Sequence, residues 1–306
     1  MNGIMKIKRL VFGRKSEYGI FSKILFITTL VGIGFVFLYP LFYMISFSFK
    51  SLEDLLNPSV IWIPSRLFWQ NYLQSLQTLN YIPLLLETLY VTILPSVLQC
   101  MVAAFVGYGF ARFEFRAKNL LLALVLVTFL IPPQVLVIPR YVLFHQMGIL
   151  DSIAAYALPA IMGQGLNSAI FILIFYQTFR TLPKALEEAA KIDGAGHFRI
   201  FFQIALPLAP AAFIVSFLFS FVWYWNETYL ATIYFGNNLT TLPLQLQRFV
   251  EAFNRIFERQ QETTVNVNEG IEMAGTFLTI LPLLIVYFVL QKYFVGSIEK
   301  SGITGE

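Results

Sequence analysis

The chain has 306 residues, of which 58% are hydrophobic and 12% charged, with a mean hydropathy of +0.70. Soluble domains carry about 25% charged residues, so composition excludes a soluble enzyme or binding module and implies an integral membrane protein. The net charge of +4 comes without a basic, aromatic-interleaved tract, which argues against a nucleic-acid surface, and one cysteine (Cys100) with two distant histidines (His145, His197) leaves no disulfide framework and no Cys/His metal cluster.

A membrane span needs about 20 apolar residues at 1.5 Å rise per residue. Residues 1–23 form a basic segment (Lys6, Lys8, Arg9, Arg14, Lys15, Lys23) ahead of an apolar run from Ile24 to Phe47. That run is too long for a signal h-region and no small-residue cleavage site follows it, so it predicts an uncleaved first span. The segment 48–82 carries Trp62, Trp69, Tyr72 and Tyr81 and reads as an interfacial aromatic belt. A second span is expected at 83–110, ending at Ala111-Arg112, and a third at 119–139, broken near its outer end by Pro132-Pro133 and Pro139. A broken span is tolerated beside protein or a water-filled cavity, so this segment is expected to contribute to an outer gate.

The fourth expected span, 155–178, is interrupted by polar residues from Gln164 to Ser168. The fifth covers 208–234 and the sixth 272–291. Between these last two, residues 236–270 begin with Gly236-Asn237-Asn238 and turn acidic (Glu251, Glu258, Glu262, Glu269), with a short surface helix expected from Arg248 to Glu262. Residues 296–306 form a tail.

Charge orients the chain. With the N-terminus in the cytoplasm, the six N-terminal basics, Arg112, Arg116, Lys118, Arg180, Lys184, Lys191, Arg199, Lys292 and Lys300 fall inside, which is 15 of 21. Lys50, Arg66, Arg140, Arg248, Arg255 and Arg259 fall outside. The excess of inside basics predicts six transmembrane helices over 24–295 with both termini cytoplasmic, an all-α architecture.

Two carboxylates lie inside expected spans, Glu87 in the second and Glu227 in the fifth. At mid-membrane each would cost at least about 2.5–3.5 kcal/mol on insertion scales, so each must face protein or water. They line a translocation path or serve as interhelical hydrogen-bond partners. Gln99, Gln134, Asn167, Tyr224 and Asn226 supply further hydrogen bonders in or beside the expected spans, with Trp225 beside Asn226.

The cytoplasmic segment 180–207 is a polar island between spans. Thr181-Leu182-Pro183 predicts a helix start with Thr at the cap, and Gly194 a C-terminal stop. Leu182, Leu186, Ala189 and Ala190 share one helical face. The paired alanines lack bulk and permit close approach by another backbone, while Glu187, Glu188 and Asp193 make the flank acidic. A lipid-lying helix would carry large anchors and basic residues, so a protein partner is expected instead. Gly196 permits a second bend, a short helix from Phe198 to Ala205 follows, and Pro207 is expected to open the fifth span.

Glu188-Ala189-Ala190, then Gly194, then Ile204 and Leu206-Pro207 resemble the EAA loop of ABC importer permeases, with every anchor at its spacing and Asp193-Gly194-Ala195 extending the match. Ile131-Pro132-Pro133-Gln134 with Ile138-Pro139, Gly148-Ile149-Leu150-Asp151 and Trp225-Asn226-Glu227 resemble its carbohydrate branch, similar to the maltose transporter permease MalG. The resemblance spans roughly residues 20–300. It implies a type I ABC importer permease fold in a bacterial cell membrane. It also implies a second related permease, two ATP-binding subunits, an extracellular solute-binding protein, and a sugar or oligosaccharide substrate. The ATPase-coupling residues would be Leu186, Glu188, Ala189, Ala190, Asp193, Gly194 and Ala195. The path residues would be Glu87, Gln134, Tyr224, Asn226 and Glu227, although the family more often has Asn at the Glu87 position, and the partner permease would hold most of the sugar.

The chain itself has no Gly-x-x-x-x-Gly-Lys-Ser/Thr, so ATP and Mg are expected on the partner subunits, with no cofactor, metal or catalytic residue here. The competing class is a secondary, ion-coupled transporter. That class wants repeated halves with matching helix breaks, which this sequence does not display. No His-Glu-x-x-His, Ser/His or paired-Asp signature marks an intramembrane enzyme.

Overall fold

The computed structural model describes residues 13, 14, 17–236, 238–257 and 267–303. Lys6, Lys8, Arg9 and Lys15 of the basic N-terminus, and Glu258, Arg259 and Glu262 of the 236–270 segment, lie outside them. The described residues are helical except for turns, connectors and one antiparallel pairing of β1 (Gly13–Arg14) with β2 (Glu17–Tyr18).

In chain order the helices are α1 (Ile20–Ser48), α2 (Leu52–Leu56), α3 (Gln70–Thr78), α4 (Tyr81–Arg112), α5 (Lys118–Leu130) and α6 (Pro133–Met147). Then come α7 (Ala154–Ile161), α8 (Ser168–Thr181), α9 (Lys184–Ile192), and α10 (His197–Ile200), which runs into a π-helical turn over Phe201–Ala205. The last are α11 (Pro210–Asn226), α12 (Tyr229–Phe235), α13 (Leu242–Gln247), α14 (Phe249–Phe257) and α15 (Glu269–Ile303).

Three stretches among the described residues are long and apolar enough to cross a membrane unbroken: Ile20–Ser48, Tyr81–Arg112 and Glu269–Tyr293. Two bent pairs raise the number to five. These are α5 with α6, at 97°, and the segment His197–Ala205 with α11, at 84°.

The third expected span therefore ends at Leu130, because Pro132 and Pro133 cannot continue the hydrogen-bond ladder. Pro139 is absorbed inside α6 and does not break it. The fourth expected span is two short helices, α7 and α8, separated by residues 162–167. The fifth does not open at Pro207. Its helix starts at Pro210, where a proline suits the first turn.

The described residues divide into two compact units, within Met1–Ser75 plus Asn266–Phe277 and within Leu76–Val265 plus Leu278–Glu306. In the first, the chain leaving α1 is pinned by side chains. The Lys50 ammonium donates to the carbonyls of Val60 (2.9 Å) and Ile61 (2.8 Å) and lies 3.6 Å from the Phe47 ring centroid. Burial lowers the Lys50 pKa. Asp54 accepts from the Ser65 backbone N–H at 3.2 Å, and its hydrogen bonding to Ser65 holds its carboxyl below the usual carboxylate range despite burial.

The Asn71 amide donates to the carbonyls of Ser48 (2.9 Å) and Lys50 (2.8 Å). Asn71→Leu leaves both carbonyls without that donor in a buried site. Each orphaned group costs about 1–3 kcal/mol, so this variant is expected to lose thermal stability in detergent and to expose residues 49–69 to limited proteolysis. Unchanged melting and cleavage would contradict the pinning role.

The core of the second unit sets small against large. Ala103, Ala104 and Tyr108 of α4 meet Phe171, Phe175 and Phe179 of α8, with Phe201 and Ala205 of the π turn and Ala212 of α11 closing the cluster. Between membrane helices the lipid supplies no hydrophobic drive, so close packing at small residues carries the association. Between α12 and α15, α14 buries Phe249, Phe253 and Phe257 along one face at i, i+4, i+8, within the surface helix expected from Arg248 to Glu262, whose last five residues lie outside the described ones.

Candidate functional site

Two places gather the residues singled out above. The first is α9. Thr181 does not cap it. That residue ends α8, and only Leu182 and Pro183 connect the two helices. Pro183 occupies the N-cap position because its missing N–H is not needed there.

The C-terminus closes as a Schellman motif: Gly194 N–H donates to Lys191 O (3.0 Å) and Ala195 N–H to Ala190 O (2.9 Å). Gly194 sits at φ +80°, the left-handed region that glycine enters without penalty. Gly196 has ordinary extended geometry and introduces no such bend of its own.

The free face of α9 differs from the expected one. Leu182 packs against the core cluster and Ala190 is half-buried. Leu186, Glu188, Ala189 and Asp193 are exposed, and so are Ile192 at 87% and Phe198 at 69%. Glu187 does not flank this face. Its carboxylate turns inward, 2.7 Å from Arg112 Nε, with side-chain exposures of 5% for Arg112 and 10% for Glu187. Arg112 Nη2 donates to the Leu182 carbonyl at 2.8 Å. Removing one member of such a buried pair costs about 3–5 kcal/mol, because the other charge is left uncompensated.

The second place is a cavity of about 460 Å3. Three interruptions converge on it: Ile131 between α5 and α6, residues 163–167 between α7 and α8, and Glu227 between α11 and α12. Backbone freed at a helix break must find partners, and side chains supply them. Gln99 donates its amide to Leu166 O (2.5 Å), the Tyr224 hydroxyl accepts from Leu166 N–H (3.4 Å), and Glu227 Oε1 accepts from Leu230 N–H (2.9 Å).

Of the expected path residues, Gln134, Asn226 and Glu227 line the cavity, as does Asn167. Tyr224 is 2% exposed and sits behind the lining, and Trp225 is buried too. Glu87 is not among the lining residues. It lies in the second turn of α4, close to one end of the helix and away from its middle, and accepts from Thr240 N–H at 2.8 Å, anchoring the segment that leads into α13.

Arg140, Gln164 and Trp223 also line the cavity and were not singled out from sequence. Arg140 reads as one more outer basic residue when charges are counted by segment. Its signal is its position as the lone Lys or Arg of α6. The cavity thus offers amide, carboxylate, guanidinium and indole groups to one guest, a set suited to a hydroxyl-rich solute.

The family model for the binding-protein-dependent transport system inner membrane component matches residues 99–300. The probable ABC transporter permease protein YurM of Bacillus subtilis is 29% identical over 269 residues, covering 87% of this chain and 84% of YurM. The arabinooligosaccharides transport system permease protein AraQ of Halalkalibacterium halodurans is 27% identical, covering 89% of this chain and 93% of AraQ. The lactose transport system permease protein LacG of Rhizobium radiobacter is 29% identical over 69% of this chain and 71% of LacG. The fold matches a chain from the crystal structure of a bacterial ABC transporter involved in the import of the acidic polysaccharide alginate, with a TM-score of 0.76, 23% identity, and coverage of 92% of this chain and 100% of that one. With the family model covering well over half its length, the chain belongs to the binding-protein-dependent transport system inner membrane components.

Proposed function

We propose that this chain is one of two related permease subunits of an ATP-driven importer for a sugar or oligosaccharide. The observation that carries the coupling part of this reading is α9: a short amphipathic helix, stopped by a glycine turn, whose free face carries Leu186, Glu188, Ala189 and Ile192. A groove on an ATP-hydrolysing subunit would take that face, with Asp193, Gly194 and Ala195 shaping the turn beside it. ATP and Mg would be bound by two such partner subunits.

This reading has six crossings: α1, the pair α5 and α6, the pair α7 and α8, the segment ending in α11 and α12, and the long helices α4 and α15. The inside excess of basic residues supports both termini in the cytoplasm and residues 48–82 and 236–270 outside. The cavity would be this chain's share of the translocation path, completed by the second permease, with an extracellular solute-binding protein delivering the solute. The sugar assignment draws on relatives named for arabinooligosaccharide and lactose transport together with the polar lining.

A photocrosslinker at exposed Ala189, in membranes containing the assembled transporter, is expected to capture a nucleotide-hydrolysing subunit. Capture of phospholipid alone would sink the coupling assignment. Ligand screening of the cognate solute-binding protein against neutral and acidic saccharides tests the substrate class. Binding only non-saccharide solutes would remove it.

A further inference from the structure

We infer that Arg112 and Glu187 form a latch across the α8–α9 joint, making them positioning residues for the coupling between ATPase closure and movement of the spans. This rests on the permease reading above. The joint is two residues long, Leu182 and Pro183. One guanidinium grips it from both sides: Nη2 holds the Leu182 carbonyl at 2.8 Å, and Nε meets the Glu187 carboxylate, in the first turn of α9, at 2.7 Å. The Nε contact is an ion pair without the alignment of a linear hydrogen bond, so the grip combines charge with one directional bond. The Tyr108 hydroxyl lies within electrostatic reach of the same carboxylate.

Arg112 is the last residue of α4, the helix packed against α8 and α11 in the core of this unit. A force applied to the outer face of α9 therefore has two routes. It can turn α9 about Leu182-Pro183 and dissipate, or pass through the fork into α4. A lever moves a rigid body only if its own joint is stiff, and both charged side chains of the pair are almost out of solvent, where screening by salt is weak. Arginine suits the task because its planar fork reaches two acceptors at once, which a lysine ammonium on a flexible stem does not fix in the same way.

The test uses the assembled transporter in proteoliposomes, with buried Cys100 replaced by Ala and a reporter cysteine at Thr128, on the cavity wall. ATP with vanadate, which traps the closed ATPases, is expected to change the labelling rate of the reporter by an impermeant maleimide about tenfold in otherwise unaltered protein. Glu187→Gln and Arg112→Lys are expected to assemble in lower yield and, per assembled complex, to trap vanadate at the same stoichiometry while the labelling change drops below twofold. The charge swap R112E/E187R is expected to recover at least half of it.

A merely structural pair would lower the amount of complex and leave the labelling change per complex at tenfold, and that result would overturn the latch. So would single variants that fail to assemble together with a swap that assembles no better, since that would place the pair in folding. If no ATPase subunit accompanies the unaltered chain, or its reporter ignores ATP and vanadate, the permease reading falls first. A normal response in unaltered protein and in both single variants removes the latch alone.

Discussion

Gly107→Leu is expected to abolish recovery of folded protein, and Gly107→Ala to lower its thermal stability in detergent. A Cβ at Gly107 would lie 2.7 Å from Phe175 Cβ, 2.8 Å from Tyr176 N and 2.9 Å from Ile172 O. Two of those three atoms are backbone, so no rotamer change relieves the clash and α4 and α8 would have to separate. Overpacking a tight core costs about 1–3 kcal/mol for small additions, and leucine adds far more than one methyl group. The contact matters beyond its area, because small residues are what let membrane helices approach.

Gly109 provides the control. It lies two residues further along α4 and has nothing within 4 Å of its would-be Cβ. Gly109→Ala should leave fluorescence-detected size-exclusion profiles and melting unchanged. Equal tolerance at both positions would mean that the α4–α8 approach is looser than described.

The second large effect is expected at Gly194. Proline there cannot reach φ +80° and has no N–H for Lys191 O, so the Schellman stop is lost and α9 loses its defined end. Membrane insertion and the core around α4 and α8 should be intact, since Gly194 has open space around it. Co-purification of the ATPase subunit is expected to fall more than tenfold.

Gly194→Ala forces a side chain into the left-handed region at about 1–2 kcal/mol and should lose only part of the binding, with Gly194→Asn closer to wild type. Glu188→Lys reverses the charge of an exposed residue on the free face and should weaken docking without lowering the melting temperature of the permease itself. Normal docking and import by Gly194→Pro would show that the end of α9 plays no part in holding the motor.

The α9 residues show how far the sequence reaches. The polar island, the glycine stop and the exposed positions of Leu186, Glu188, Ala189 and Asp193 were readable from local chemistry, because a left-handed stop depends on neighbours in the chain, whereas the cap expected at Thr181 was not, since that residue ends α8. The inward turn of Glu187 was not. Helical periodicity says which residues share a face, and it cannot say which face is already taken. That was settled by Arg112, which reaches α9 from the end of a different helix. Leu182 was misplaced for the same reason, being drawn into the core cluster by residues remote in sequence.

The spans divide in the same way. Apolar content, the Pro132-Pro133 break and the polar interruption at Gln164 to Ser168 follow from the chain alone, since proline geometry and the cost of polar groups in hydrocarbon are local facts. Tertiary structure alone decided that three breaks meet at one cavity, that Arg140 joins Gln134, Asn226 and Glu227 there, and that Glu87 stands apart holding Thr240. Convergence of distant segments depends on contacts between residues remote in sequence, a long-range steric condition that no local pattern encodes.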